Sequence, residues 1–223
     1  MYKISVITPT YNRQSFLNKA IQSFLDQDYD NKEMIVVNDG GSIPNVPEGI
    51  ILYNIEHGNQ SIAQNYGIEH STGDLICTLD DDDLLAPHSL KNRAEQFSDD
   101  SIDVIWTGAI DIWENGQHKD NHPVVFEQDI LNRDQIFINS MMFRRSIIEK
   151  IGYWFNSELT SNEDWEFKIR CLHECNCKPI DIYSVMHRVH PAMRSTAHRQ
   201  SGELVKNELL FKEKLKLKYG SVL

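Results

Sequence analysis

The 223-residue chain has few cysteines, no long apolar run and a shortage of positive charge, and each scarcity argues against a class of protein. No apolar stretch approaches the ~20 residues that a membrane-spanning helix needs. A net charge of -11 argues against broad binding to nucleic-acid phosphates. The first residues run directly into a strand pattern, so no secretory signal is visible. We therefore expect a cytoplasmic protein that does not bind nucleic acid.

The four cysteines are too few for a disulfide framework. Cys77 lies in an apolar run and is expected to be buried. Cys171, Cys175 and Cys177 surround His173, which raises the hypothesis of a zinc site. Their spacing, C-x-H-x-C-x-C, matches none of the usual paired arrangements of zinc ligands. Reduced cysteines are therefore the favoured interpretation.

The first hundred residues alternate between strand and helix patterns. We predict strands at 3–8, 33–38, 50–53 and 75–79, with the first closed by Pro9, and helices at 15–27 and 61–70, followed by one near Pro87. Strands that alternate with helices favour an α/β fold with a largely parallel sheet.

The second half of the chain is less regular. We predict strands at 102–112 and 180–189, a polar loop at 113–128, helices at 147–151 and 163–172, and an amphipathic helix at 202–219. No internal repeat, low-complexity tract or linker divides the sequence. One domain over residues 1–223 is the economical prediction.

Four consecutive aspartates, Asp80 to Asp83 (the aspartate run), follow the strand at 75–79. Adjacent carboxylates repel one another, and a bound divalent cation is a natural way to offset that repulsion. If the chain stays extended here, Asp80 and Asp82 share one face while Asp81 and Asp83 share the other. The alternative is a solvated acidic loop that caps the helix near Pro87.

Polar clusters follow three of the predicted strands: residues 10–13, residues 38–41 and the aspartate run. In a parallel sheet, ligands bind beyond the carboxyl ends of the strands. The convergence of the three clusters at that edge favours a binding site over a solvated loop.

Seven segments, in this order, resemble the inverting glycosyltransferases of family 2. They are VITPTYNR (6–13), IVVNDGGS (35–42), QNYGI (64–68), TGDLI (72–76), LDDDD (79–83), MFRR (142–145) and NEDWEFKIR (162–170). The resemblance implies a single GT-A domain, with a Rossmann-like mixed, mainly parallel sheet flanked by helices. It implies a nucleotide-binding half at about 1–100, an acceptor-binding half at about 101–198 and a C-terminal amphipathic helix at about 199–219.

The resemblance implies a site for the nucleotide of a UDP-sugar, lined by Pro9, Thr10, Tyr11, Asn12, Arg13, Asp39, Asn65, Asp80, Asp81 and Arg194. Tyr11 offers a flat face to the base. Asp39 would accept the imide N–H of uracil, although a turn-forming role before Gly40 also explains it. The sequence departs from the family pattern at Asn38, where an aspartate is usual, and at Gly41, which precedes the expected serine.

The aspartate run matches the D-x-D element of the family, which implies Mn²⁺ or Mg²⁺ as cofactor. Its spacing to Pro87 makes Asp82 the first candidate for metal coordination and Asp80 the second. His190 is a third candidate, which could reach the metal or a phosphate, although a lone histidine is more often simply packed. Arg194 could clamp the diphosphate. Oxygen ligands favour Mn²⁺ or Mg²⁺ over zinc.

The catalytic base of the family falls on the Glu163–Asp164 pair. We assign the base to Asp164, with Glu163 as a neighbour that can hydrogen-bond the acceptor. The alternative is that both acidic residues stabilise a helix N-terminus, capped by Asn162 or Ser161.

These inferences together predict a metal-dependent inverting enzyme that moves a hexose or N-acetylhexosamine from a UDP-sugar to a saccharide or lipid-linked saccharide acceptor, in bacterial surface polysaccharide synthesis. One alternative is an inactive nucleotide-sugar-binding or scaffold protein with the same fold. Another is a sugar-phosphate nucleotidyltransferase. Such an enzyme needs a Gly-rich basic phosphate-binding loop near the N-terminus, which residues 10–13 do not form. The lysine-rich terminal helix suits packing against the domain or a second subunit in a homodimer, or peripheral contact with the inner face of a membrane.

Overall fold

The computed structural model describes residues 1–125 and 136–191 of the chain. Nine strands within these ranges form one sheet: β1 Ile4–Thr10, β2 Lys32–Asp39, β3 Ile51–Ile55, β4 Leu75–Thr78, β5 Leu84–Leu85, β6 Val104–Trp113, β7 His118–His122, β8 Met142–Arg144 and β9 Cys177–Val189. The α-helices of the same ranges are α1 Gln14–Leu25, α2 Gln60–Glu69, α3 Ser89–Ala94, α4 Ile148–Ile151 and α5 Glu163–Glu174.

The strand order is β3-β2-β1-β4-β8-β6-β9-β5, with β7 added on β6. Strands β1 to β4 pair in parallel, as do β6 and β9. The short strand β8 is antiparallel to both β4 and β6 and so joins the two parallel parts. This arrangement confirms the predicted α/β class with a mixed, mainly parallel sheet flanked by helices.

Alternate residues of the strands point to opposite faces of the sheet and contribute to two hydrophobic layers. On β1, Ile4 and Val6 pack with the buried face of α1, whereas Ile7 packs with α2 and α5 on the opposite face. Helix α2 lies close to the sheet at Gly67, where an added Cβ would come within 2.5 Å of the Ile7 side chain. The sheet is therefore sandwiched between helices, which leaves the ends of its strands to carry polar groups.

Strand β1 passes through Pro9, where we predicted its end. The carbonyl of Ile7 faces β4, because it accepts the N–H of Leu79 at 2.9 Å. Pro9, two residues on, faces the same side, but β4 has already ended at Thr78. The missing N–H of proline therefore costs no ladder hydrogen bond.

The polar loop predicted at 113–128 is also wrong in part, since β6 and β7 form a hairpin closed by a turn from Trp113 to Gln117. β7 lies at an edge and is exposed along most of its length, so burial imposes no alternating apolar pattern on it. Most other boundaries lie within one or two residues of the prediction, whereas β9 begins three residues earlier. Arg194 and the predicted helix at 202–219 lie outside the described residues.

No helix within residues 1–125 and 136–191 is long and apolar enough to cross a membrane. The described helices are instead short elements packed against the sheet.

Candidate active site

The carboxyl ends of β1 and β4 meet at the aspartate run, as the sequence predicts. Thr10, the last residue of β1, donates its hydroxyl to Asp81 Oδ2 at 2.7 Å. Arg13, three residues on, places its guanidinium 2.7 Å from Asp82 Oδ2 and 3.3 Å from Asp81 Oδ1. The Thr10–Arg13 segment and the aspartate run are thus parts of one charged site.

The aspartate run is a turn and not an extended segment, so the predicted alternation of its side chains is wrong. The N–H of Asp83 donates to the carbonyl of Asp80 at 3.0 Å, which closes the turn. Asp81 and Asp82 consequently contact the same guanidinium. Asp80 Oδ1 accepts a hydrogen bond from Gln60, at the start of α2, at 2.9 Å.

Burial sets the electrostatics of the run. Asp81 is 5% exposed, and this burial raises its pKa to about 6 even though Thr10 donates to it. Burial, with the neighbouring charge of Asp82, also raises the pKa of Asp83, which accepts from Asn139 Nδ2 at 2.7 Å. The site therefore holds carboxyl groups that bind protons more tightly than ordinary aspartates.

Arg188, on β9, organises the aspartate run, a role that its sequence context did not predict. Its side chain is 2% exposed, and its guanidinium donates to the backbone carbonyls of Asp81 and Asp82. Its backbone N–H donates to Asp83 Oδ1 at 3.1 Å. The guanidinium also lies 5.0 Å from the ring centre of Phe16 on α1. A buried cation beneath the run offsets part of its negative charge.

His190 reaches the run from the end of β9. Its Nε2 lies 3.2 Å from Asp82 Oδ2, and its ring stacks on Phe16 with centroids 4.4 Å apart. Of the three predicted metal ligands, Asp82 and His190 therefore touch each other, whereas Asp80 contacts Gln60. Within the described ranges no three His, Cys, Asp or Glu side chains form a complete cage for an ion. A carboxylate and an imidazole fit Mn²⁺ when phosphate oxygens supply the remaining ligands.

A second group of contacts surrounds Asp39 at the end of β2. Asp39 Oδ1 accepts the N–H of Gly58 at 2.8 Å, and its Oδ2 lies 3.1 Å from His57 Nδ1. The ring of His57 stacks on Tyr11 with centroids 4.5 Å apart. Tyr11 is 46% exposed, so part of its ring remains accessible even with His57 stacked on it. His57 had no sequence signal beyond its place before Gly58.

The departure at Gly41 has a structural reason. Gly41 has φ +72, and an added Cβ would lie 2.5 Å from Asn12 Oδ1. The same oxygen accepts the N–H of Ser42 at 2.9 Å, so the loops after β1 and β2 are joined. They enclose a cavity of about 460 Å³, lined by Thr10, Asn12, Arg13, Gln14, Asn38, Ser42, Ile43 and Pro44.

Two of the predicted nucleotide-binding residues have other surroundings. Pro9 is buried within β1. Asn65 exchanges two hydrogen bonds with the backbone of Phe155, at 2.8 and 2.9 Å, and so anchors the segment before α5. These two hydrogen bonds give the Asn65 amide a structural role that does not require a nucleotide.

The Glu163–Asp164 pair begins α5 and its two members differ in exposure. Glu163 is 1% exposed, whereas the Asp164 side chain is 28% exposed. Asp164 Oδ2 lies 2.8 Å from the ammonium of Lys168, which is buried and also donates to the carbonyl of Ile136 at 2.5 Å. The accessible carboxylate is therefore held by a fixed cation one helical turn away.

None of the four cysteines forms a disulfide. Cys171 is buried at the end of α5, and burial raises the pKa of its thiol. The Cys177 thiol lies 3.3 Å from the carbonyl of Cys171, so both pack at the junction of α5 and β9.

Comparisons with known proteins identify a family and several relatives of this chain. The family described as Glycosyl transferase family 2 matches residues 5–152. The chain is 26% identical over 235 residues to the uncharacterised glycosyltransferase YwdF of Bacillus subtilis, covering 98% of this chain and 84% of YwdF. It is 27% identical to the O-antigen biosynthesis glycosyltransferase WbnJ of Escherichia coli, covering 77% of this chain and 72% of WbnJ. It is 29% identical to the poly(ribitol-phosphate) β-N-acetylglucosaminyltransferase TarP of Staphylococcus aureus, covering 77% of this chain and 58% of TarP.

Solved structures show the same fold. Residues 1–349 of S. aureus TarS in complex with UDP-GlcNAc match with a TM-score of 0.72 at 18% identity, over 87% of this chain and 61% of that one. The mannosyltransferase PcManGT of Pyrobaculum calidifontis, in complex with GDP-Man and Mn²⁺, matches with a TM-score of 0.64 at 15% identity, over 96% and 64%. The share of a curated relative's length that the chain spans varies widely, from 84% for YwdF to 20% for a glycosyltransferase of Rickettsia felis.

Proposed function

The chain belongs to glycosyl transferase family 2, and from this premise we propose that it transfers a hexose or N-acetylhexosamine from a UDP-sugar to a saccharide acceptor, with inversion and with a divalent metal. The observation that carries the proposal is the convergence of Thr10, Arg13 and His190 on Asp81 and Asp82, beside the carboxyl ends of parallel strands. Ligands of open α/β sheets bind at that edge.

We place the uracil and ribose at the loops after β1 and β2. Tyr11 presents an exposed aromatic face, and the Asp39 carboxylate beside it suits the imide N–H of uracil. Asp39 accepts the Gly58 N–H through Oδ1, and its Oδ2, the oxygen proposed for the base, lies 3.1 Å from His57 Nδ1. His57, stacked on Tyr11, must move or share that oxygen when the base binds.

Asp82 and His190 would hold Mn²⁺ or Mg²⁺ together with oxygens of the donor diphosphate. When bound, the ion supplies Lewis-acid stabilisation of the charge that forms on the leaving nucleoside diphosphate. Arg13 contacts Asp82 at 2.7 Å and carries a further positive charge at the same place. If Asp82 coordinates a metal ion, the Arg13 guanidinium would be available to pair with a phosphate oxygen of the donor.

Asp164 would act as the base. Inversion in one step needs a carboxylate that takes the proton of the acceptor hydroxyl as it attacks the anomeric carbon. Asp164 is the more accessible member of its pair, and Lys168 fixes its orientation. Glu163 is buried and supports the start of α5 more readily than it meets an acceptor.

The names of the relatives support a place in surface polysaccharide assembly. WbnJ is named for O-antigen biosynthesis, and TarP acts on poly(ribitol-phosphate). A saccharide or lipid-linked saccharide of the cell surface is therefore the acceptor class that we propose, with the enzyme working at the cytoplasmic face of the membrane.

The test is release of UDP from a panel of UDP-hexoses and UDP-N-acetylhexosamines with Mn²⁺. We expect turnover with at least one donor, and an Asp164→Asn variant slowed by at least about 10²-fold, the lower range for a positioned base. Asp181→Asn, an exposed carboxylate on β9, is the matched control. UDP binding without turnover of any donor would instead favour the inactive nucleotide-sugar-binding protein.

A further inference from the structure

A second cavity lies beside the aspartate run, at the ends of β6 and β9. Its volume is about 510 Å³, and it is lined by Trp113, Glu114, Asn115, Val189, His190 and Pro191. The catalytic and nucleotide-binding roles above use only His190 from this set. The other residues therefore form a concave surface without an assigned ligand.

Trp113 is the unusual residue of this cavity. It is 45% exposed, whereas the other three tryptophans of the chain are 8% exposed or less. Its backbone is fixed by both hydrogen bonds of the hairpin turn: its N–H donates to Gln117 and its carbonyl accepts from Gly116, each at 2.8 Å. The Lys119 ammonium lies 5.5 Å from the ring centre. The indole is thus an exposed apolar surface on a rigid support.

The lining has the chemistry of a pyranose site. One face of a pyranose ring presents C–H groups that pack on an aromatic face, while its hydroxyls need hydrogen-bonding partners at the edge. Glu114 and Asn115 follow Trp113 directly and line that edge with a carboxylate and an amide. The Asn115 amide also bonds Gln117 across the turn, at 2.9 and 3.0 Å, and keeps one N–H for a sugar hydroxyl.

Strand pairing places this cavity next to the proposed metal-binding residues His190 and Asp82. Trp113 pairs with Val189 in the parallel ladder of β6 and β9, and the next residue of β9 is His190. His190 lines the cavity and also contacts Asp82 at 3.2 Å. A sugar in the cavity would therefore adjoin the place proposed for the metal-bound diphosphate.

The position favours the acceptor over the donor. The residues proposed for uracil and ribose lie at the ends of β1 and β2, whereas Trp113 lies at the end of β6, across β4 and β8 in the sheet. The Trp113 hairpin instead connects toward the base: Lys119 pairs with Asp111 at 3.2 Å, and Asp111 pairs with His187 at 2.9 Å.

The path continues from that pair to the proposed base. The rings of His187 and Phe137 lie 4.9 Å apart. Phe137 follows Ile136, whose carbonyl accepts a hydrogen bond from Lys168. Lys168 in turn pairs with Asp164. We propose that Trp113, with Glu114 and Asn115, forms the subsite for the acceptor pyranose. The inference rests on the proposed function, which it deepens.

The test combines a binding and a kinetic measurement on the full chain. Acrylamide quenching reports on Trp113, because the other tryptophans are buried. We expect methyl glycosides of glucose, galactose, mannose or N-acetylglucosamine to protect Trp113 in the presence of UDP and Mn²⁺. With a turned-over donor, Trp113→Ala should raise the acceptor KM on the order of tenfold, the effect of losing an aromatic stacking partner, and leave the donor KM unchanged.

The controls separate this inference from the proposed function. Tyr183→Ala removes another exposed aromatic residue, on β9, and should leave the acceptor KM unchanged, while Trp113→Phe should retain most of the affinity. Turnover with an acceptor KM unaffected by Trp113→Ala, or no protection by any glycoside, would overturn the subsite. Protection without turnover of any UDP-sugar would keep the subsite and refute the proposed transferase.

Discussion

Replacing Asp81 by asparagine should stabilise the ligand-free protein while it weakens nucleotide binding. Burial raises the pKa of Asp81 from an ordinary 3.8 to about 6, so the folded state binds this proton more tightly than the unfolded state. The free energy of unfolding therefore falls as pH rises from about 4 to 6, at about 1.4 kcal/mol per pH unit, or about 3 kcal/mol in all. Asparagine can still accept the Thr10 hydrogen bond but loses the charge contact with Arg13, so we expect a net gain of about 2 kcal/mol at pH 8.

The assay is thermal unfolding of wild type and Asp81→Asn in a chelating buffer between pH 4 and 8. The variant should melt several degrees higher at pH 8, and the difference should vanish toward pH 4, where the wild-type carboxyl is protonated. Comparing the two proteins at each pH cancels the titration of groups that do not interact with Asp81. An Asp81→Asn variant that is less stable than wild type at pH 8 would refute the claim that burial of this carboxylate is unfavourable.

Three further predictions follow from contacts elsewhere in the site and the core. Arg188→Met should lower the melting temperature and abolish Mn²⁺-dependent UDP binding, with partial rescue in Arg188→Lys. Unchanged UDP binding would show that the buried guanidinium is not needed to hold the backbone of the aspartate run in its binding conformation. Lys168→Met should lower kcat by about tenfold or more with the donor KM unchanged, since Asp164 loses a charged hydrogen-bond partner; an unchanged kcat would argue against Asp164 as base. Gly67→Ala should destabilise by about 1–3 kcal/mol in chemical denaturation, because its Cβ would meet Ile7 at 2.5 Å; equal stability would mean that α2 moves away freely.

The sequence predicted the parts of the fold that local patterns determine. Apolar residues at helical spacing located α1, and the buried run of β2 located the strand that ends at Asp39. Polar clusters after β1 and β4 predicted that Thr10 and the aspartate run would meet, because parallel strands end at the same edge.

Long-range contacts explain what the sequence did not predict. Arg188 lies 107 residues from the Asp81 carbonyl that it holds, and no local pattern distinguishes it from an exposed strand arginine. The turn within the aspartate run depends on the Asp80–Asp83 hydrogen bond, which acidic composition alone does not indicate. β7 has no apolar side chain because it pairs at an edge, so its polar sequence is typical of a loop.

The most direct test of the central claim is calorimetric titration of UDP into wild type and Asp82→Asn, each with Mn²⁺ and with a chelator. Asp120→Asn, an exposed aspartate on β7, serves as the matched control. We predict that Mn²⁺ tightens UDP binding to wild type and to the control, and that Asp82→Asn removes this gain. Equal UDP affinity with and without Mn²⁺ in wild type, or no UDP binding at all, would contradict a metal-assisted UDP-sugar site at the aspartate run.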